Sequence, residues 1–502
     1  MQKRQILLNS GMSLAQVVVI SGSLFFLYRY LLKILGVDQL GIWSLVLATT
    51  SVTQIANLGL SGSVVKFVAK YVALNDKQKI SEIIQTASIA ALILVGGVLL
   101  AGYPVARWAL GLVVPITSLP LALGLLPYSF LGFWLMIATG IFQSGLDGHQ
   151  RIDIRCWLLM AGAVLQLFLA FLLTPRFGLM GMAYVRIIQN FVILAASWLI
   201  LRKIVPQLPS IPWRFNRSLF KEMIGYGANF QLIAFLNMFF EPVTKMLLGK
   251  FGSLAMVGYY EMANRMIQQV RALLVSANQT IVPAIAGLKE VSPERIRSVY
   301  RTSYRLMFYL ALPIFSLMIV ALPVISFLWI GHIESLFITM GLIIALGWLL
   351  NTLNAPAYFV YLGIGELRWN VVSHLLIATL NVGMGFILGR HFGGLGVVSA
   401  SAIALGIGSA VIIISFNGKN GIPDSDMAPR DSRTVGLLCI VGLGLMFLRL
   451  WPGFPLLRSG AGSAIFLMIF FLALAVILFR HPMKGTIIGW VREGFFEAAS
   501  KE

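Results

Sequence analysis

Charge is what this sequence lacks most. Of its 502 residues only 11% are Asp, Glu, Lys or Arg, against roughly 25% in soluble proteins, which excludes a chain that faces water over its whole surface. Acids are scarcer than bases, 18 against 38. Cysteine is nearly absent. Cys156 and Cys439 lie in or beside apolar runs and have the spacing of neither a disulfide framework nor a zinc site, so both read as packing residues. The five histidines, His149, His332, His374, His391 and His481, are scattered near loops and form no ligand cluster. There is no Walker loop, no Gly-x-Gly-x-x-Gly opening a helix and no His-Glu-x-x-His, which speaks against ATP hydrolysis and leaves no cofactor to expect.

Apolar length is abundant instead. Hydrophobic residues make up 59% of the chain, and runs of the roughly 20 residues that cross a bilayer recur from Leu14 to Phe479. A membrane β-barrel would show alternating segments of about ten residues, so the expected fold is an all-α membrane bundle. Reading apolar runs against charged breaks gives about fourteen spans, near 10–35, 41–65, 83–106, 119–143, 157–175, 181–201, 224–248, 255–280, 304–329, 335–362, 371–389, 395–415, 434–450 and 461–479. Lys3 and Arg4 precede a run that is long and lacks a small-residue cleavage site, which reads as an uncleaved first helix.

The net charge of +20 would suit nucleic acid, but the bases sit at span ends. With the N-terminus inside, about 26 Lys and Arg fall on the cytoplasmic side and about 7 outside, the bias of the positive-inside rule. Both termini are therefore expected in the cytoplasm, with no nucleic-acid partner. No loop exceeds about thirty residues, which leaves no room for an extramembrane catalytic domain and argues against an enzyme. Segments around 213–221 and 485–496 mix basic and aromatic residues, a pattern that suits either surface amphipathic helices or unstructured chain. Trp43, Trp329 and Trp490, near span ends, read as interfacial anchors.

The chain also repeats itself. Arg29-Tyr-Leu-Leu-Lys-Ile-Leu-Gly36 aligns with Lys245-Met-Leu-Leu-Gly-Lys-Phe-Gly252, Phe177-Gly-Leu-Met-Gly181 with Phe392-Gly-Gly-Leu-Gly396, and Gly148-x-x-Arg151 with Gly365-x-x-Arg368, all about 215 residues apart. A unit of six spans keeps its orientation when repeated. The expectation is two pseudo-symmetric six-helix lobes, 1–205 and 206–418, around a central cavity, followed by two additional spans and a cytoplasmic tail in 419–502, the plan of a transporter.

Ionisable groups inside spans are expensive and mark candidate sites. Here they are Arg29, Arg186, Glu241, Lys245, Glu261, Arg265 and Arg271. Glu241 with Lys245, and Glu261 with Arg265, are spaced i,i+4 on one helix face, so each pair either neutralises itself or offers its glutamate to a coupling ion. Arg29 and Lys245 hold equivalent repeat positions. Facing the cavity, such cations suit phosphate or pyrophosphate; the alternative for Arg29 and Arg186 is snorkelling to headgroups. Polar uncharged residues recur in the early spans of each lobe, among them Asn9, Gln16, Gln54, Asn57, Asn229, Gln231, Asn264, Gln268, Asn278 and Gln279. They suit sugar hydroxyls or helix-to-helix hydrogen bonds.

Several short stretches, in order, resemble a known family. Asn9-Ser-Gly11, Leu35-Gly36 followed by Gly41-Ile-Trp-Ser44, Asn57-Leu-Gly-Leu-Ser61, Gly145-Leu-Asp-Gly-His-Gln-Arg151 and Gly258-Tyr-Tyr-Glu-Met-Ala-Asn-Arg265 through Pro283 are similar to polysaccharide-biosynthesis flippases. These are the Wzx-like, O-antigen and exopolysaccharide members of the multidrug/oligosaccharidyl-lipid/polysaccharide exporter superfamily. The resemblance covers roughly residues 5–420. It implies a V-shaped carrier in the bacterial inner membrane that moves an undecaprenyl-pyrophosphate-linked oligosaccharide between leaflets by alternating access, in contact with membrane lipids and with polysaccharide polymerase and chain-length proteins. The substrate-binding candidates are Arg29, Lys245, Arg265 and Arg271. The ion-coupling candidates are Glu241 and Glu261, and the polar cavity candidates are Asn57, Asn229, Gln231, Asn264 and Gln268. A multidrug exporter of organic cations is the rival within the superfamily. A membrane polysaccharide polymerase is the rival outside it, and the short outward loops count against it.

Overall fold

In a hydrocarbon solvent a helix satisfies its own backbone polar groups, and the computed structural model of this chain is all-helical in its regular structure, with no strand among the described residues. It describes residues 3–51, 59–279, 281–423, 429, 432–448 and 459–485. By contacts the chain divides into two compact units, Met1–Gly258 and Tyr259–Glu502.

The first unit holds α1 (Lys3–Leu35), α2 (Val37–Ser51), α3 (Leu60–Ala73), α4 (Lys77–Ala90), α5 (Gly96–Val113), α6 (Leu119–Gly148), α7 (Ile152–Ile204), α8 (Arg217–Met238) and α9 (Glu241–Phe251). A helix α10 (Leu254–Gln279) begins at its end. The second unit continues through α11 (Ile281–Val291), α12 (Arg295–Ile330), α13 (Ser335–Leu353), α14 (Ala355–Ile364), α15 (Arg368–Lys419), α16 (Arg433–Leu448) and α17 (Gly460–Arg480). Among the described residues eight helical stretches are long and apolar enough to cross a membrane, so this is a multi-pass membrane protein. One of the eight joins α4 to α5 through a π-helical turn at Ala91–Val95. Two others, α7 and α15, run 53 and 52 residues, about 80 Å at 1.5 Å per residue, more than twice a hydrocarbon core of about 30 Å. Each therefore supplies two crossings.

The bends that split them fall at Gly178 (φ 54°, ψ −138°) and Gly393 (φ 62°, ψ −150°), 215 residues apart and in the same left-handed conformation that favours glycine. Three residues on, a side chain at Gly181 would reach 2.7 Å from Leu173 O, and one at Gly396 would collide with Leu388 O. The repeated Phe-Gly-x-x-Gly is thus a turn that only glycine closes. The same correspondence recurs where α2 and α10 begin: Gly41 lies against Leu254 O, and Gly258 against Val37 O. One alignment shifts. Gly148, pressed on Val68 and Val65 O of α3, has its counterpart in Gly363, pressed on Ile285 and Val282 O of α11, not in Gly365, which instead caps α14 with φ 83°.

By sequence α8 and α9 open the second repeat, yet they pack on α3 and α4, and on α2 and α5, respectively. Residues 205–216 between α7 and α8 are not helical, so of the two readings of 213–221 the chain takes the irregular one up to Asn216 and enters α8 at Arg217. A buried polar face of α4 takes up this segment's backbone. Ser81 donates to Gln207 O (3.0 Å), and Gln85 Oε1 accepts from the N–H groups of Trp213 (3.4 Å) and Arg214 (3.2 Å), while Thr86 Oγ1 accepts from that of Asn216 (3.2 Å). A cavity of about 380 Å³ lies between the segment and α4, lined by Gln78, Glu82, Gln207, Trp213 and Arg214. The other expected amphipathic segment, 485–496, lies almost wholly outside the described residues, as does Trp490. Trp43 and Trp329 are buried, so they pack within protein rather than anchor to headgroups. Cys156 and Cys439 are buried and free. The last two helices, α16 and α17, dock on α12.

Candidate functional site

A buried polar assembly in the second unit starts on one face of α10. Asn264, Gln268 and Arg271 are spaced i, i+4, i+7 and so form a stripe, which meets α13 at Trp348 and Asn351. Arg271 Nη2 donates to Asn351 Oδ1 (2.8 Å), and the guanidinium lies 4.8 Å from the centre of the Trp348 ring, a cation–π contact. Trp348 Nε1 donates to Asn264 Oδ1 (3.0 Å). Ser409 Oγ, from the second half of α15, accepts from both Asn351 Nδ2 (3.1 Å) and Asn354 Nδ2 (2.8 Å). Asn264, Trp348, Asn351, Asn354 and Ser409 are all buried.

This seam holds more hydrogen-bonding capacity than it uses. Arg271 Nε and Asn264 Nδ2 are buried donors, and Asn370 Oδ1 a buried acceptor, without a hydrogen-bond partner among the described residues. Leaving a buried polar atom unmet costs about 1–3 kcal/mol, more for a charged group. Arg271 makes no ion pair among the described residues, so a guanidinium stands in a largely apolar bundle facing amides, an indole and a hydroxyl. A group of that description has free valence for an anion.

The other intramembrane charges are arranged differently. Lys245 is 3% exposed and its ammonium lies 2.7 Å from Glu241. Glu261 is 2% exposed and lies 2.8 Å from Arg265, whose own side chain is 43% exposed. Both i,i+4 pairs close locally. Arg29 is exposed; it stands six residues before the end of α1, as Lys245 stands six before the end of α9, so the two are register equivalents in unlike surroundings. Arg186 is half-buried, beside Gly132. Gln268 is half-buried and Asn278 buried. Gln54 and Asn57 lie outside the described residues, as do the side chains of Asn9, Asn229, Gln231 and Gln279.

Sequence reading found Asn264, Gln268 and Arg271 but missed Trp348, Asn351, Asn354, Asn370 and Ser409. Each is a lone polar or aromatic residue in an apolar run, and the signal that joins them is spatial. It also placed the histidines near loops. His374 sits instead inside α15, 2.7 Å from Asn370 O and with its ring 5.8 Å from that of Tyr358, at the edge of the seam. His481 stands just past the end of α17, as placed, and is buried against Tyr309 and Ser432.

Comparison with known proteins bears on what such a bundle is. The family model described as polysaccharide biosynthesis protein matches residues 30–332. No curated protein matches the chain by sequence. Among solved structures, the lipid II flippase MurJ in an inward closed conformation superposes with a TM-score of 0.72 at 13% identity, over 94% of this chain and 98% of that one. An inward-facing multidrug resistance MATE transporter of the MOP superfamily gives 0.69 at 16% identity, over 80% and 94%. A MOP superfamily transporter from Pyrococcus furiosus, described as having a binding pocket of reversed polarity, gives 0.53 at 16%, over 81% and 95%. At these identities the likeness is one of fold.

Proposed function

The chain belongs to the polysaccharide biosynthesis protein family, and on that footing we propose that it is a flippase for a lipid-linked oligosaccharide. The cargo in this reading is an undecaprenyl-pyrophosphate-linked repeat unit of an O-antigen or exopolysaccharide, moved from the cytoplasmic to the periplasmic leaflet of the inner membrane by alternating access. The observation that carries it is Arg271, a cation among buried amides with a buried, unpartnered Nε and no carboxylate among the described residues. Guanidinium is suited to phosphate because its donors form a planar fork that matches two oxygens, and a pyrophosphate diester presents several such oxygens. Arg29, exposed, is a second cation open to the cargo. Lys245 and Arg265 are reserve cations, each held by its own glutamate.

An organic cation as cargo would need acids to receive it, and the two intramembrane glutamates on α9 and α10 are already occupied by bases. The drive in this reading is the membrane potential. Inside-negative, it favours outward movement of an anionic headgroup by about 2.3 kcal/mol per charge per 100 mV. Polymerase and chain-length proteins would receive the product.

The test is translocation of a fluorescent undecaprenyl-pyrophosphate glycan in proteoliposomes at fixed potential. Wild type is expected to transport, and Arg29→Ala/Arg271→Gln to lose transport at least about tenfold, the effect of some 1.4 kcal/mol. No transport of this lipid by wild type, together with efflux of organic cations, overturns the reading.

A further inference from the structure

The cavity between α4 and the connection that follows α7 is left unused by the transport reading. Its frame is fixed by backbone. Ser81, Gln85 and Thr86, buried on α4, bind main-chain groups of Gln207, Trp213, Arg214 and Asn216, and Gln85 Nε2 also donates to Ser81 Oγ (3.0 Å). The connection is thus tied to α4 by bonds that use none of its own side chains. Gln207, Trp213 and Arg214 are exposed, and among the described residues none of the three spends its side chain on a hydrogen bond or an ion pair. All three line the cavity, together with Gln78 and Glu82 from the first two turns of α4.

This lining selects one ligand chemistry. Its charges oppose each other, one carboxylate (Glu82) and one guanidinium (Arg214), and Lys79 lies 2.9 Å from an oxygen of that carboxylate. A phosphate meets the acid and an organic cation meets the base, so neither strongly charged class is favoured. The other polar side chains, Gln78 and Gln207, are amides, which both donate and accept. They stand with the Trp213 indole, which is 66% exposed and carries the Arg214 guanidinium 4.6 Å from its centre. A sugar ring asks for that set: its hydroxyls both donate and accept, and its C–H face packs on an aromatic plate. At about 380 Å³ the cavity stands at the small end of the roughly 300–1,000 Å³ of small-molecule sites, which admits a short saccharide. In sequence its walls adjoin Lys77, Lys79, Arg202, Lys203 and Arg217, at the end of the helices that the positive-inside bias assigns to the cytoplasm.

We infer that this cavity is a second cargo site, which reads a sugar of the glycan before translocation and is made of residues other than the cations proposed for pyrophosphate. This rests on the reading of the chain as a flippase for a lipid-linked oligosaccharide and adds an element of selectivity to it. Trp213 packs the ring, while Glu82, Arg214, Gln78 and Gln207 divide its hydroxyls.

The probe is the oligosaccharide released by mild acid from the host cell's undecaprenyl-pyrophosphate lipids, which leaves the pyrophosphate behind. It is titrated into the full chain in detergent. Wild type is expected to bind it, and saturating inorganic pyrophosphate to leave that binding unchanged. Trp213→Ala keeps the backbone N–H that Gln85 accepts and should weaken binding at least about tenfold, with Trp213→Phe recovering most of the loss. Arg271→Gln should bind the oligosaccharide as wild type does. In proteoliposomes Trp213→Ala should raise the half-saturating concentration of the lipid-linked glycan and keep the maximal rate, the mark of lost ground-state binding. Equal binding by wild type and Trp213→Ala, or displacement of the oligosaccharide by inorganic pyrophosphate, overturns the sugar site and leaves the flippase reading standing. Wild type that transports the lipid-linked glycan without binding the released oligosaccharide does the same. A Trp213→Ala that loses the sugar but transports with the wild-type half-saturation makes this a site for free saccharide and overturns its part in cargo selection. Wild type that neither binds the oligosaccharide nor transports its lipid-linked form overturns both readings.

Discussion

In the second unit Trp348, Asn351, Asn354 and Tyr358 line α13 and α14. At the offset of 216 that separates the start of α13 from that of α6, Trp348, Asn351 and Asn354 correspond to Gly132, Leu135 and Ala138. At the offset of 215 that pairs Gly148 with Gly363 and Gly178 with Gly393, Tyr358, Asn370 and His374 correspond to Gln143, Arg155 and Leu159. The halves share their turns, their bends and their glycine contacts. Both also carry polar groups between helices: in the first, Asn190 Nδ2 donates to Gly132 O (2.7 Å) and Gln189 Nε2 to Gly162 O (3.0 Å), the helix-to-helix glue common in membrane proteins. What sets the second apart is Arg271, a guanidinium without an ion pair among the described residues and with a buried, unpartnered Nε, and that contrast is the strongest reason to read the seam as a site.

If the plan is shared, its glycines should be equally intolerant in both halves. Gly181→Ala drives a methyl to 2.7 Å from Leu173 O, and Gly396→Ala drives one into Leu388 O. Both oppose backbone, which cannot swing aside, and overpacking of this kind costs about 3 kcal/mol or more. Neither variant is expected to purify as a monodisperse protein with the wild-type unfolding temperature in detergent. Gly97 and Gly124, which have open space around them, supply the control, and alanine there should change little. Loss of fold in one half only would break the equivalence of the two turns.

The chemistry, by contrast, should be removable from one half. Replacing Asn351 and Asn354 by the first unit's Leu and Ala, together with Arg271→Met, converts the seam toward the apolar version. Hydrogen bonds between membrane helices average about 0.6 kcal/mol, so stability should move by no more than about 2 kcal/mol while translocation falls at least about tenfold. Collapse of the fold with these changes would make the seam scaffold; full transport would make it ornament.

A smaller effect separates the two repeat-equivalent cations. Lys245→Met strips Glu241 of its partner in a buried pair. Breaking a fully buried pair costs about 3–5 kcal/mol, and the partial exposure of Glu241, 29%, reduces that to about 1–2 kcal/mol. Glu241→Gln in the same chain should restore most of it. Arg29→Met, on an exposed side chain, should stay within about 0.5 kcal/mol. Thermal unfolding of the three variants decides, and equal effects at both positions would erase the distinction.

Much of this was legible before any coordinates. Long apolar runs are unambiguous because only helices satisfy a backbone in lipid, and the repeat was visible because its turns demand glycine at fixed spacing. The i,i+4 charge pairs were legible for the same reason, being one-helix geometry. The seam was not. Arg271 could be marked as a costly charge, but the other members of the seam, Trp348, Asn351, Asn354, Asn370 and Ser409, come from α13, the turn after it and both halves of α15, and each alone is an ordinary polar residue in a hydrophobic run. His374 was hidden by its nearness in sequence to a turn, although it already lies in the second turn of its helix. Trp43 and Trp329 misled in the opposite direction: tryptophan near a span end has an interfacial reading, and burial against neighbouring helices is invisible without them.

The finest contrast between the halves lies at the turn that follows α6 in one and α14 in the other. Both turns need one residue in the left-handed region. The second unit uses Gly365 (φ 83°), and the first uses Gln150 (φ 61°), 215 positions earlier, where a side chain is strained by about 1 kcal/mol. The swap should therefore run in opposite directions. Gln150→Gly relieves the strain but loosens the unfolded chain, for a net gain of about 0.5 kcal/mol or less. Gly365→Gln introduces the strain with open space around the new Cβ, for a loss of about 1 kcal/mol. Unfolding midpoints that move apart by less than the error of replicate scans would mean that the first turn is held by other contacts. The ion pairs Arg151–Asp153 (3.1 Å) and Arg155–Asp147 (2.9 Å), which flank Gln150, are the first to remove in that event.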